Sequence, residues 1–245
     1  MGAVQVTLPD GKKLETPSGS TVLDAVKQIG PGLANAALAA KVNGVPVDLS
    51  HIVSEDVTLE VLTFRQAEGR EVFWHSSTHL MAQATQELFP EIQLTIGPPI
   101  EEGFYYDFEK AEPFTTEDLE KIESRMAELV KANLSVARRE VSRDEAIALF
   151  EELNEPYKLE MIEELGPEET ISLYEQGDFV DLCRGPHLSA TGKIKSFKLL
   201  SVAGAYWRGD EKNKMLQRIY GVSYPDRKQL KEYLGRIEEA EKRDH

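Results

Sequence analysis

The chain has 245 residues, 41% of them hydrophobic, with a formal net charge of −15, one cysteine and five histidines. That length and apolar content suffice for one or two domains with real cores, and a lone cysteine excludes an internal disulfide framework. No apolar run approaches a membrane span, and Val6 stands where an N-myristoylation signal has Ser or Thr, so a soluble cytoplasmic protein is expected. The acidity is uneven. Residues 182–245 carry 14 Lys and Arg against 8 Asp and Glu, a net of +6, which leaves −21 for the first 181 residues. On charge alone the C-terminal quarter is either where a polyanionic partner would bind or simply a solvated basic helix.

In chain order, VQVTLPDGKKLETP (4–17) alternates as two strands about a Pro9-Asp10-Gly11 turn. Ser20 or Thr21 caps a helix with Val22, Leu23, Val26 and Ile29 on one face, ending at Gly30-Pro31-Gly32. An Ala-rich turn follows, then strands over 40–42, 45–49 and 57–62. This is the order of a small ubiquitin-like β-grasp domain over 1–64. Its only histidine, His51, lies in a polar turn, the segment holds no catalytic constellation, and a docking role is expected for the domain.

The polar stretch 63–71 reads as a boundary. After it, Phe73, Leu80, Ala84 and Leu88 form an apolar stripe at helical period. His75, rotated by about 200° from Phe73, points away from that stripe, and His79 leaves the same face one turn later. IGPPIEEGFYYDFE (96–109) is a turn feeding a strand, with Tyr105 and Tyr106 on opposite faces. Amphipathic helices are expected over 115–131, with Leu119, Ile122, Met126 and Leu129 inward, and over 142–153. Residues 157–162 alternate as a half-buried strand, where Lys158 would ordinarily be solvated. A cysteine loop spans 177–188, strand, turn and strand span 193–206, and a polar turn at 208–214 precedes Met215, Leu216, Ile219 and Tyr220. The last stretch, 226–243, is a long helix.

The chemistry concentrates in two segments. FVDLCRGPHL (179–188) and HSSTHLMAQA (75–84) together hold the cysteine and three of the histidines, in two four-residue spacings. Gly185 and Pro186 forbid a regular helical turn between Cys183 and His187, so this pair is expected on a tight loop. Three histidines and a cysteine form a tetrahedral ligand set for zinc, or else a polar pocket with a thiol and bases in it; the pattern permits both. The HExxH metalloprotease motif is excluded, because Ser76 follows His75.

HSSTHL, IGPPIEEGFYYD, FVDLCRGPHL and AGAYWRGDEKNKMLQRIYG, in this order and spacing, resemble the amino-terminal half of the bacterial threonyl-tRNA synthetases along essentially the whole chain. On that resemblance 1–64 corresponds to a TGS domain, 65–225 to a tRNA editing domain partly shared with alanyl-tRNA synthetases, and 226–245 to a linker helix. The implied fold class is α+β: a β-grasp domain, then an α+β domain with a mixed or antiparallel sheet. The family's aminoacylation and anticodon-binding domains have no counterpart in this sequence. The chain is therefore expected not to aminoacylate by itself, and to be either a part of a longer homodimeric ligase, the favoured reading, or a freestanding editor.

The implied function is hydrolysis of mischarged Ser-tRNA(Thr). Serine lacks one methyl of threonine, which is worth only about 1–3 kcal/mol of discrimination, so a second pocket must admit serine and clash with the methyl. By motif position the resemblance puts the catalytic group on His75, Lys158, Asp181 and Cys183, and substrate binding on His79, His187 and Tyr105 or Tyr106. Lys158 would hold or activate the water, His75 would orient or protonate the ribose side, and Asp181 would grip the amino group or hydroxyl. Cys183, besides, would line the pocket. No cofactor is expected, and the partner is the 3′ end of tRNA(Thr), with no membrane. Two other readings stand beside this one: a deacylase with zinc on His75, His79, Cys183 and His187, as the alanyl relatives suggest, and a non-catalytic tRNA-docking module.

Overall fold

Val4 and Val6 alternate inward along β1 (Ala3–Thr7), which pairs antiparallel with β2 (Lys13–Pro17) in the register Val6↔Leu14. The expected turn closes them, with Leu8 N–H donating to Lys12 O at 2.8 Å and Gly11 at φ +87°. Two residues, β3 (Ser20–Thr21), lead into α1 (Val22–Ile29). Thr21 is its cap: Thr21 Oγ1 accepts the Asp24 N–H, and the Asp24 carboxylate accepts the Thr21 N–H. The Ala-rich segment expected as a turn is instead a short helix, α2 (Pro31–Ala36), because Pro31 is preset for the first helical position and alanine favours continuation. With β4 (Ala39–Val42), β5 (Val45–Val47) and β7 (Val57–Leu62) the main sheet has the order β2-β1-β7-β4-β5, while β6 (Ile52–Val53) pairs with β3. Its β1 and β7 run parallel, and Val6, Val22, Val26, Ala40 and Leu59 share one core. This is a β-grasp domain.

The computed structural model describes residues 2–244. Met1 and His245, the outer residues of the first and last expected segments, lie outside them. By compactness the chain divides into Met1–Ser76 with Arg184–Ser189, and Ser77–Cys183 with Ala190–His245.

Helix α3 (Ala67–Leu88) starts inside the polar stretch 63–71. Phe73, Leu80 and Ala84 are buried as their period predicts, while Leu88 is 38% exposed. Between Val72 and Thr85, His75 is the residue that is not fully buried.

The larger unit has two antiparallel sheets. One has the order β10 (Val136–Val141), β11 (Ile171–Gln176), β12 (Phe179–Leu182). The other runs β13 (Ser196–Tyr206), β14 (Met215–Tyr224), β9 (Phe104–Glu109), β8 (Gln93–Leu94). Helices α4 (Thr116–Ala132) and α5 (Arg143–Glu152) form as expected, capped by Thr115 and Ser142. Three expectations change. Residues 157–162 belong to helix α6 (Pro156–Glu164), since Pro156 presets its first position and Leu, Glu and Met are good helix formers. Residues 193–206 are not strand, turn and strand; a 3₁₀ turn (Thr191–Lys193) precedes the single strand β13, which absorbs its irregularity as a register shift between Leu199 and Ser201. The cysteine loop, finally, opens with β12. Helix α7 (Arg227–Arg243), capped by Asp226, ends the described chain with no buried residue. Among the described residues no helix is long and apolar enough to cross a membrane.

Gly69 fixes how α3 leaves the β-grasp sheet, since a Cβ there would stand 1.8 Å from the Thr63 carbonyl oxygen. Gly69→Ala is therefore expected to lose stability, by about 1–3 kcal/mol as for other overpacked sites. Urea unfolding followed by circular dichroism measures this, and an unchanged midpoint would contradict the close approach.

Candidate active site

Helix α6 turns Lys158 inward until it is 1% exposed. Its Nζ meets three acceptors: Thr95 O at 2.5 Å, Asp181 Oδ1 at 2.5 Å and Tyr106 Oη at 3.1 Å. An ammonium has three N–H donors, so each is committed. The alternation of β12 sends Phe179 and Asp181 inward together. Asp181 is likewise 1% exposed. Its Oδ1 also accepts the Leu182 N–H at 2.8 Å, while Oδ2 lies 3.2 Å from His79 Nε2 and 3.4 Å from Tyr106 Oη. These four contacts fill a carboxylate. His79 is held from α3, with its ring edge-on to Tyr174 and Phe179.

Tyr106 is the phenol of this network, not Tyr105. Burial, with the Asp181 charge beside it, pushes Tyr106 well above its ordinary value, so it stays a neutral donor. The turn before β9 makes room for it: a Cβ on Gly97 would come 2.8 Å from Tyr106 Cδ2 and 2.5 Å from Tyr105 O. Tyr105 faces the opposite side of β9. There the Arg218 guanidinium lies 3.9 Å over its ring, held by Asp107 through two bonds of 2.8 and 2.9 Å, with Tyr220 alongside.

The remaining candidates come from the start of α3 and the loop after β12. The His75 and His187 rings are 4.4 Å apart. Ser76 Oγ lies 3.1 Å from His187 Nδ1 and accepts the Leu188 N–H, and the His187 N–H donates to Asp48 Oδ1 at 2.8 Å. The expected tight loop is present, with Gly185 at φ +75° and a cis Gly185-Pro186 peptide. A cavity of about 340 Å³ opens beside His75, lined also by Glu68, Glu71 and Arg184. Cys183 is fixed through its backbone: its N–H donates to Ser172 O, and its carbonyl accepts from Ser172 Oγ at 2.5 Å.

His75, His79, Cys183 and His187 each offer one ligand atom, and these four atoms lie within 4.8 Å of one another. Such a cluster could hold a metal ion. Asp181 on His79 Nε2 and Ser76 on His187 Nδ1 are also the kind of partners that orient ligating imidazoles.

The sequence reading passed over Glu155. It stands at the N-cap position of α6, just before Pro156, without a capping bond of its own, and Gln86 Nε2 donates to its Oε1 at 2.9 Å. Burial pushes its carboxyl up to about 7, against the pull of Lys158. Only its position one turn before Lys158 on a helix could have flagged it.

Residues 4–63 match the TGS domain family, and residues 171–220 match the family described as the threonyl and alanyl tRNA synthetase second additional domain. Among curated proteins, the threonine–tRNA ligase of Symbiobacterium thermophilum is 57% identical over 242 residues, covering 99% of this chain and 37% of the relative. That of Pelobacter propionicus is 56% identical over 100% of this chain and 38% of its own length, and that of Hahella chejuensis 58% over 98% and 38%. The chain thus spans well under half the length of these relatives.

Two outcomes follow from the buried charges. Lys158→Met leaves Asp181 without its countercharge and is expected to cost about 3–5 kcal/mol, whereas Lys158→Met with Asp181→Leu should cost much less than the two singles summed. Denaturant unfolding of the three variants measures the coupling, and strict additivity would deny it. Glu155 has its folded value raised from 4.5 to about 7, so its contribution to stability is full below about pH 4.5 and is lost as pH rises through about 7. Glu155→Gln should remove that decline, about 3 kcal/mol, from a stability profile recorded between pH 4.5 and 8.

Proposed function

We propose that this chain, similar over its whole length to part of the threonine–tRNA ligases and carrying matches to the TGS and second additional domains, hydrolyses the ester of mischarged Ser-tRNA(Thr). The supporting observation is the buried network of Lys158, Asp181, Tyr106 and His79. Burying an ammonium and a carboxylate costs more than packing apolar side chains of the same volume, and a module that only docks tRNA has no use for them.

The contacts suggest a division of roles. Since the N–H groups of Lys158 and the oxygens of Asp181 are committed, they act by holding and polarising His79; a direct contact with water or substrate needs one of these bonds to exchange. His79 and His75, one helical turn apart, then meet the ester. One imidazole takes the proton of the attacking water as it adds to the seryl carbonyl, and the other returns a proton to the departing ribose oxygen. Cys183 and His187 complete the wall. Water suffices for so activated an ester, so no acyl-enzyme forms on Cys183. The threonine methyl is turned away by a clash, which discriminates more strongly than a missing contact.

Deacylation of Ser-tRNA(Thr) and Thr-tRNA(Thr) by the isolated chain tests this. Serine should be released faster than threonine by more than the roughly 10–200-fold that one methylene contributes. His75→Ala and Lys158→Ala should lose turnover, and Cys183→Ser should keep most of it. Equal hydrolysis of both esters would sink the sieve, and tRNA binding without turnover would leave the docking reading.

The four-atom cluster favours a second reading, in which His75, His79, Cys183 and His187 would hold zinc and the ion would supply Lewis-acid chemistry for the ester hydrolysis. Metal analysis of protein purified without chelator separates the two. Stoichiometric zinc, with activity lost on its removal, replaces the first reading.

A further inference from the structure

Glu155 is 4% exposed, and its two oxygens are treated unequally. Oε1 accepts from Gln86 Nε2 at 2.9 Å, while Oε2 has no hydrogen-bond partner among the described residues. The groups facing it are Lys158 from α6, Asp181 from β12 and Tyr106 from β9; Gln86 of α3 supplies a neutral donor. Lys158 thus supplies one positive charge to two buried carboxyls. Asp181 holds that charge at 2.5 Å, and among the described residues no hydrogen bond or ion pair joins Glu155 to it. Glu155 is the carboxyl left over, and an ionised, unpartnered oxygen in such surroundings is costly.

We propose that Glu155 is a proton-holding positioning residue of this pocket: it stays protonated while Lys158 alone balances Asp181, and it ionises when the α-ammonium of an aminoacyl ester adds a second cation. The proton leaves to solvent, and the carboxylate that remains is balanced by the substrate amino group. The pocket then selects a charged amino group, and so an aminoacyl rather than an N-acylated ester, through charge balance. Direct capture by Asp181 is not needed, since its oxygens are filled. Burial, which puts the Glu155 carboxyl at about 7, leaves it able to change state near neutral pH. The proposal rests on the deacylase reading.

The test is a carbon NMR titration of the chain with labelled glutamate carboxyls. It is run alone, with the seryl amide of 3′-amino-3′-deoxyadenosine as a non-hydrolysable ester, and with the hydroxypropanoyl amide that lacks the amino group. One glutamate signal, absent in Glu155→Gln and in Glu155→Asp, should titrate near 7 in the free chain. With the seryl amide its midpoint should fall by about one unit or more, and with the deaminated amide it should stay. A Glu155 midpoint near the ordinary 4.5, one unmoved by the seryl amide, or one moved equally by both amides overturns the proposal. If the titration and its shift are present but Ser-tRNA(Thr) is not hydrolysed, the deacylase reading fails and the charge balance stands.

Discussion

A lysine ammonium buried away from water sets the terms for everything around it. Its desolvation has to be offset by a full countercharge and by acceptors for every N–H, and Asp181, Thr95 O and Tyr106 Oη provide these. Each acceptor comes from a different segment: the end of β12, the chain after β8 and the middle of β9. One side chain therefore ties α6 to both sheets of the larger unit. The same requirement pins Asp181 so firmly that its outer oxygen has one place left to act, on His79 Nε2. The orientation of that imidazole follows from charge balance two residues away from it in space.

The network also explains two features that look local. Gly97 is needed because Tyr106 must come closer to the turn than any Cβ would allow. The unpartnered oxygen of Glu155 arises because Lys158 is already used, so the carboxyl one turn earlier has no cation to pair with.

The surface charges tell a quieter story. The net +6 of residues 182–245 is not an open basic patch throughout. Arg218 is paired with Asp107, Arg208 with Glu160 and Glu164, Lys214 with Glu109 and Lys198 with Glu123. Several of these cations serve to join the last hairpin to earlier elements. Exposed pairs of this kind add little stability each, but they reduce the field available to a distant phosphate.

The sequence by itself determined those elements whose signal is local. The cap at Ser20 or Thr21, which the structure gives to Thr21, the Thr115 cap, the Pro9-Asp10-Gly11 turn, the stripe of α3 and the broken spacing from Cys183 to His187 all depend on residues within one or two turns of each other. The opposition of Tyr105 and Tyr106 followed from strand geometry alone, although not which of them faces the site. Tertiary structure decided the rest, wherever burial on more than one side erased the period. Strand β11 is buried at Ile171, Ser172, Leu173 and Tyr174 in succession, so it shows no alternation to read. Residues 157–162 alternate by accident, and on α6 Tyr157 and Ile162 enter different apolar clusters while Lys158 enters the polar network. For Lys158 and Glu155, exposure, partners and charge state all depend on residues dozens of positions away, and an ionisable side chain carries no mark in sequence of whether water will reach it.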